Sequence, residues 1–575
     1  MEKELRTGPA APKDPEKKRP YFYIMHNKEI FGNPAPEGRG VQFIFESDGR
    51  LISAAGIAGN IKDPEILDLL KTSEGFKKLV HSIGVSVTES SGEEKVNFVF
   101  QMYGEHQNDP ASSIQKEFVM NGEEHILPLS EVSWMSTDKE PGQIRFEFEH
   151  QKKRASADVR LYLNDGFTAP EQPSDDEVAF DSPEYAAMIK NSRMHEGNLS
   201  ALRRAIEKAK KGEEVTIGFI GGSITQGAGP IPINENCYAR LYADKFIKHY
   251  SSPEKVRFVK AGVGGTPSEL GMIRFERDVL RDGTEKPDII VIEFAVNDDG
   301  DETKGVCYES LVRKALSLPW QPAVILLFAV FVFDWNLQDR LSPVGERYDL
   351  PMVSIMNAVT PQFKLMPDEG LVVSKNQFFY DQYHPSNTGH RIMCDCLLDM
   401  TKAAETAKEA PYPDVSSIDP VIGAAFENVK LLDRREIERL DVIPGDPVVT
   451  EGSFTGSDTE IQRVEMDDAV EQVPEFPYNW YYDGSSDKPA PFKIGLSFEK
   501  LLLVFKDTGD VAFGSADVYV DGEKVMNADP LKVGWTHCNA VIIADYKTEA
   551  RHEIEIRIAE GDERKKFTIL GFGVV

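Results

Sequence analysis

Residues 215–229 read V-T-I-G-F-I-G-G-S-I-T-Q-G-A-G. The first half is an apolar, β-branched run, preceded by the charged stretch Lys-Lys-Gly-Glu-Glu. That pattern predicts a buried strand of a parallel sheet. Gly221 and Gly222 close the run, and Ser223 follows at once. A serine at the C-terminal end of such a strand projects into the crevice where open α/β sheets bind ligands. The pentapeptide G-x-S-x-G is absent, so the residues alone leave two readings, a strand-exit turn or a nucleophile.

The rhythm around this stretch fixes the architecture. An amphipathic helix is predicted over 198–211, with Leu202 and Ile206 on its apolar side. Strands follow at 215–221, 255–261, 288–296, 323–333 and 352–356, with helices at 237–249, 268–280, 307–317 and 388–405. This alternation predicts an α/β, three-layer parallel-sheet core covered on both faces. Upstream, alternating runs such as Val96-Asn-Phe-Val-Phe and Ile144-Arg-Phe-Glu-Phe predict strands, with a short helix within 63–78. Downstream, Ile494-Gly-Leu-Ser-Phe, Leu501-Leu-Leu-Val-Phe, Ala540-Val-Ile-Ile-Ala and His552-Glu-Ile-Glu-Ile read as separate short strands. The expected organisation is a mobile tail (1–20), an N-terminal β-sandwich (21–175), a catalytic core (185–410) and a C-terminal β-sandwich (420–575). Both sandwiches are expected to be jelly-roll-like, and the C-terminal one could bind carbohydrate.

A net charge of −30 argues against binding nucleic acid or an anionic membrane. The N-terminus lacks an apolar signal segment, and no run approaches the ~20 apolar residues of a membrane span. The five cysteines show no CxxC spacing, which favours reduced thiols and no structural metal. A cytoplasmic location is expected, unless a leader was removed. Homo-oligomerisation is left open.

Further strand exits carry reactive residue types. The second reads A-G-V-G-G-T-P-S, the third E-F-A-V-N-D-D-G, and a late loop reads D-Q-Y-H-P-S-N-T-G-H. Over roughly residues 190–405 the chain resembles the SGNH (GDSL-type) hydrolase superfamily, whose blocks centre on Ser, Gly, Asn and a late D-x-x-H. Ser223 matches the first block, with Gly222 where the superfamily usually has Asp. Gly265 matches the second, with Gly264 as the alternative. Asn297 matches the third, with Ala295 in place of the usual glycine, and Asp381 with His384 matches the last. The resemblance implies a Ser223-His384-Asp381 acyl-enzyme mechanism. Its oxyanion hole would comprise the Ser223 N–H, the Gly265 N–H and the Asn297 amide. No metal or organic cofactor is implied.

The G-G-S-I-T-Q-G and G-G-T-x-S stretches look like those of bacterial carbohydrate esterases, which implies removal of acetyl groups from plant mannan or xylan oligosaccharides. Gln226 could line the substrate pocket. Trp480 and Trp535 could stack on sugar rings or fill the sandwich core. Two other readings remain: a lipid or general carboxylester hydrolase, and a non-catalytic glycan-binding protein. Asp298 and Asp299 are expected to cap a loop, His390 to pack or cap the last helix, and Cys394 and Cys396 to be ordinary residues. Glu293, in an apolar strand, needs a partner, and Arg274 is the expected one.

Overall fold

The computed structural model describes residues 19–44, 50–105, 109–172, 177–365, 369–439 and 443–575. The tail expected over 1–20 therefore lies, through residue 18, outside the described residues. The chain divides into two compact units. One comprises residues 1–179, 229–232 and 373–389; the other comprises 180–228, 233–372 and 390–575.

The second unit is built on a six-stranded sheet. Its order is Arg193–His195, Met352–Ser354, Ala323–Phe328, Ile289–Glu293, Val215–Gly221 and Val256–Gly262. The last five run parallel, and Arg193–His195 lies antiparallel at one edge. Interior strands of such a sheet are covered on both faces, and Ile289–Glu293 is buried at every position. Gly221 pairs with both Gly262 and Glu293, so three neighbouring strands end level. The loops carrying Ser223, Gly265 and Asn297 consequently leave from one edge. The fourth strand ends at Phe328, short of the expected residue 333. Ala329 and Val330 are buried without being strand, because apolarity reports burial and not backbone conformation.

The same unit holds an eight-stranded antiparallel sheet from the C-terminal region. The runs at Ile494 and Leu501 form one strand, Phe492–Asp507, and those at Ala540 and His552 form another, Val541 among its residues, spanning His537–Ile558. The mainly polar stretch 545–551 between the last two runs lies exposed in mid-strand. One set of C-terminal side chains, including Phe426, Val429, Leu431, Leu502, Val504 and Leu570, shares a core with Ile273, Phe275 and Val312 of the α/β helices. The link near residues 411–429 is strapped to helix Val306–Leu316. Glu309 accepts the N–H groups of Val421 (2.8 Å) and Gly423 (2.7 Å), and Arg313 donates to Val415 O (2.9 Å) and Ile418 O (2.8 Å).

In the first unit, a four-stranded and a five-stranded antiparallel sheet enclose a separate apolar core. The helical region expected within 63–78 is two helices, Pro64–Leu69 and Ser73–Leu79, capped by Asp63 and Thr72. Residues 373–389 belong to this unit although they are remote in sequence. Lys28 Nζ donates to Asn376 O (2.6 Å) and Phe379 O (2.7 Å), and Tyr380 packs on the sandwich core. Among the described residues, no helix is long and apolar enough to cross a membrane.

Candidate active site

Ser223 opens the short helix Ser223–Gln226 directly after the strand Val215–Gly221. A Cβ built on Gly222 would lie 2.1 Å from Asn297 Oδ1. Glycine at position 222 therefore lets the Asn297 amide close against the turn that carries Ser223. Asn297 begins a 3₁₀ turn, Asn297–Asp299, and its buried Oδ1 has no hydrogen-bond partner among the described residues.

The second loop lies beside the serine. A Cβ built on Gly264 would lie 3.8 Å from Ser223 Cβ. The two glycines divide their roles. Gly264 N–H donates to Gln226 Oε1 (2.8 Å), so it is committed. Gly265 has φ +70° and its N–H donates to no described residue. This difference favours Gly265 over Gly264 as an oxyanion donor. Thr266 Oγ1 donates to Val263 O (2.8 Å) and Ser268 N–H to Asp298 Oδ1 (2.8 Å), which fixes both ends of the turn. Asp298 thus joins the Asn297 loop to the helix that follows the glycine loop.

Buried ionisable groups underlie these loops. Glu293 Oε2 accepts from Thr225 Oγ1 (3.0 Å), which also meets Tyr238 OH (2.8 Å). Burial pushes Glu293 up to about 7, against the bonds from the Thr225 hydroxyl and the Gly222 N–H that favour its charged form. Arg274 is not its partner. Its guanidinium donates to Ala261 O (2.8 Å) and Gly221 O (2.9 Å), carbonyls at the ends of two strands, and pairs with Asp278 (3.2 Å). Burial, then the nearby Asp301 and Asp298, push Glu269 up to about 10. Burial and Asp301 likewise raise Asp298.

The other unit holds an Asp–His pair of its own. His384 Nδ1 lies 2.9 Å from Asp381 Oδ2 and 3.0 Å from Oδ1. Asp381 also accepts the N–H groups of Tyr383 (2.8 Å) and His384 (2.9 Å). Burial raises this carboxyl, but His384, Arg50 and the Tyr383 N–H outweigh it and hold the group at about 2. The pair is an ionised carboxylate orienting an imidazole, as a general base requires. His390, expected to pack, is buried and accepts the Tyr238 N–H at Nδ1 (3.0 Å). All five cysteines are buried and form no disulfide. Among the described residues, no group of three or more His, Cys, Asp or Glu could hold a metal ion.

The candidate substrate residues separate. Trp480 is 1% exposed, packed by Phe492 and Phe572, with Nε1 donating to Glu451 (3.1 Å). Its ring fills the core and offers no face to a sugar. Trp535 is 45% exposed, and a Cβ built on Gly265 would lie 2.6 Å from its Cζ2. Its ring edge therefore rests on Gly265. Gln226 is engaged at both ends, since its Nε2 donates to Glu465 (2.6 Å). Sequence reasoning passed over Glu465 and Gln462, both from the C-terminal region. Gln462 Nε2 donates to Gly264 O (2.8 Å), and its Oε1 accepts the Cys538 N–H (2.9 Å). Nothing local in T-E-I-Q-R-V-E marks these residues, because their role arises from packing between distant segments.

Residues 219–392 match the GDSL-like Lipase/Acylhydrolase family. Among solved structures, the chain is similar to a two-domain esterase (CEX) active on acetylated mannans. The identity is 25% and the TM-score 0.56, over 67% of this chain and 98% of that one. The structure of a two-domain esterase (CEX) active on acetylated mannans co-crystallised with mannopentaose matches with 25% identity and a TM-score of 0.55, over 67% and 97%. No curated protein matches.

Proposed function

We propose that this chain, whose residues 219–392 belong to the GDSL-like (SGNH) acylhydrolase family, is a serine esterase that removes O-acetyl groups from mannan- or xylan-derived oligosaccharides. The observation that carries the reading is the convergence at Ser223. One strand end presents the hydroxyl, the neighbouring loop offers the Gly265 N–H, and Asn297 closes against Gly222.

In this reading, Ser223 Oγ attacks the acetyl carbonyl carbon as His384 accepts its proton. The resulting oxyanion meets the N–H groups of Ser223 and Gly265 and the Asn297 amide. Such donors act on charge that develops in the transition state, and each contributes roughly 3–4 kcal/mol. Collapse breaks the bond to the sugar oxygen, which takes the proton from His384. Water, deprotonated by the same imidazole, then releases acetate and restores Ser223. Asp381 holds the tautomer throughout. The exposed face of Trp535, beside Gly265, suits the apolar face of a sugar ring. The likeness to an esterase active on acetylated mannans supports a carbohydrate substrate.

The test is acetate release from acetylated manno- and xylo-oligosaccharides, with acetate, butyrate and octanoate aryl esters in parallel. Turnover should fall steeply beyond acetate, and Ser223→Ala should abolish it in folded protein. Preference for octanoate with no acetate released from sugar would refute the carbohydrate reading.

A further inference from the structure

We propose that Gln462 is a positioning residue for the oxyanion hole, so that the C-terminal region is part of the catalytic machinery and not a detachable binding module. The inference rests on the serine-esterase reading and extends it to residues outside the family-matched segment 219–392. The argument turns on one peptide unit. The carbonyl of Gly264 and the N–H of Gly265 belong to the same trans peptide group, and so point in opposite directions. Gln462 Nε2 holds that carbonyl at 2.8 Å. Fixing the carbonyl fixes the N–H, and a donor on the carbonyl also polarises the N–H on the far side.

The preceding peptide is held as well. Gly264 N–H donates to Gln226 Oε1, and Gln226 Nε2 donates to Glu465, whose other oxygen accepts from Gln472 Nε2 (2.6 Å). Gln462 is itself anchored, since its Oε1 accepts the Cys538 N–H at the start of the long strand His537–Ile558. The turn these bonds clamp contains Gly265 at φ +70° with little side-chain bulk of its own to hold it. Two glutamines and a glutamate therefore do for the Gly264–Gly265 turn what packing does elsewhere. The hydrogen bonds from Gln462 and Glu465 come from the C-terminal region.

The experiment uses the full chain and an aryl acetate too small to need a sugar site. Gln462→Glu keeps an oxygen for the Cys538 N–H but puts a carboxylate oxygen against Gly264 O. Gln462→Met keeps the length and removes both bonds. Losing an oxyanion donor outright costs on the order of 100- to 1000-fold in kcat. A donor that is loosened and not removed should cost roughly 10- to 100-fold, with KM nearly unchanged because the interaction is made in the transition state. Affinity for an aryl boronic acid, whose adduct places an oxygen in the same hole, should fall in step with kcat. Thermal melting establishes that the variants are folded, and Gln462→Glu decides the question if Gln462→Met is not. Wild-type kcat and boronate affinity in folded Gln462→Glu would overturn the inference while leaving the esterase reading intact. No turnover by the wild-type protein would overturn both.

Discussion

Replacing Gly265 with alanine tests the oxyanion role proposed for its N–H. The new methyl would meet Trp535 Cζ2 at 2.6 Å and Cη2 at 2.7 Å, and it would sit on a backbone at φ +70°. A left-handed conformation costs an L-residue with a Cβ roughly 1–2 kcal/mol. The Trp535 ring is half exposed and can yield, so the strain at φ is the part the protein cannot shed by moving a side chain. Rotating the Gly264–Gly265 peptide relieves it, but breaks the Gln462 bond to Gly264 O and swings the Gly265 N–H away. The expected result is a fold destabilised by about 1–3 kcal/mol and a kcat lowered by roughly 100- to 1000-fold, with KM little changed. Steady-state kinetics on an aryl acetate, beside thermal melts, measure both. Adding Trp535→Ala removes the collision but not the strain, so the double variant should recover stability more than turnover. Wild-type kcat in folded Gly265→Ala would refute the assignment of this N–H.

Three further outcomes follow from the charges and the shared core. Glu293, pushed up to about 7, keeps its proton in the folded chain at pH values where the unfolded chain has released it. Stability from this group is therefore greatest below its ordinary range and declines by about 2–3 kcal/mol between about pH 5 and pH 8; Glu293→Gln should gain on the wild type in melting temperature as pH rises, and a constant difference would contradict this. Asp381, held at about 2, stabilises the fold above its ordinary carboxylate range and loses that effect as pH falls through 2. Asp381→Asn should cost about 2 kcal/mol at neutral pH and roughly 10⁴-fold in kcat, read from melts and kinetics. Ending the chain after residue 410 would expose Ile273, Phe275 and Val312, which pack against C-terminal residues. The product should fail to melt cooperatively, whereas a well-folded, fully active fragment would show the C-terminal region to be dispensable.

The α/β core was legible because buried parallel strands are written as local apolar runs, and the strand exits follow from where those runs end. Ser223, Asn297, Asp381 and His384 stood out because each lies in a short stretch whose residue types make chemical sense together. Other features have no local signature. The C-terminal strands Phe492–Asp507 and His537–Ile558 each contain polar residues that imitate a turn. Trp480 lies among Tyr478, Tyr481 and Tyr482 and Trp535 between Gly534 and Thr536, yet it is the first that is core and the second that lies half exposed against Gly265. Glu293 was recognised as needing a partner, but Thr225 donates to its Oε2 and its buried Oε1 is left without a hydrogen bond, while Arg274 serves strand-end carbonyls. Gln462 reaches Gly264 only through the packing of the C-terminal sheet on the core, a relation between segments that no window of sequence contains.

The central claim is that Ser223 carries the acyl group. Rapid acid quench during turnover of an acetyl ester, followed by proteolysis and mass spectrometry, tests it directly. The account predicts one acetyl group on the peptide containing Ser223 and none in Ser223→Ala. Acetylation at another residue, or continued turnover by Ser223→Ala, would contradict it.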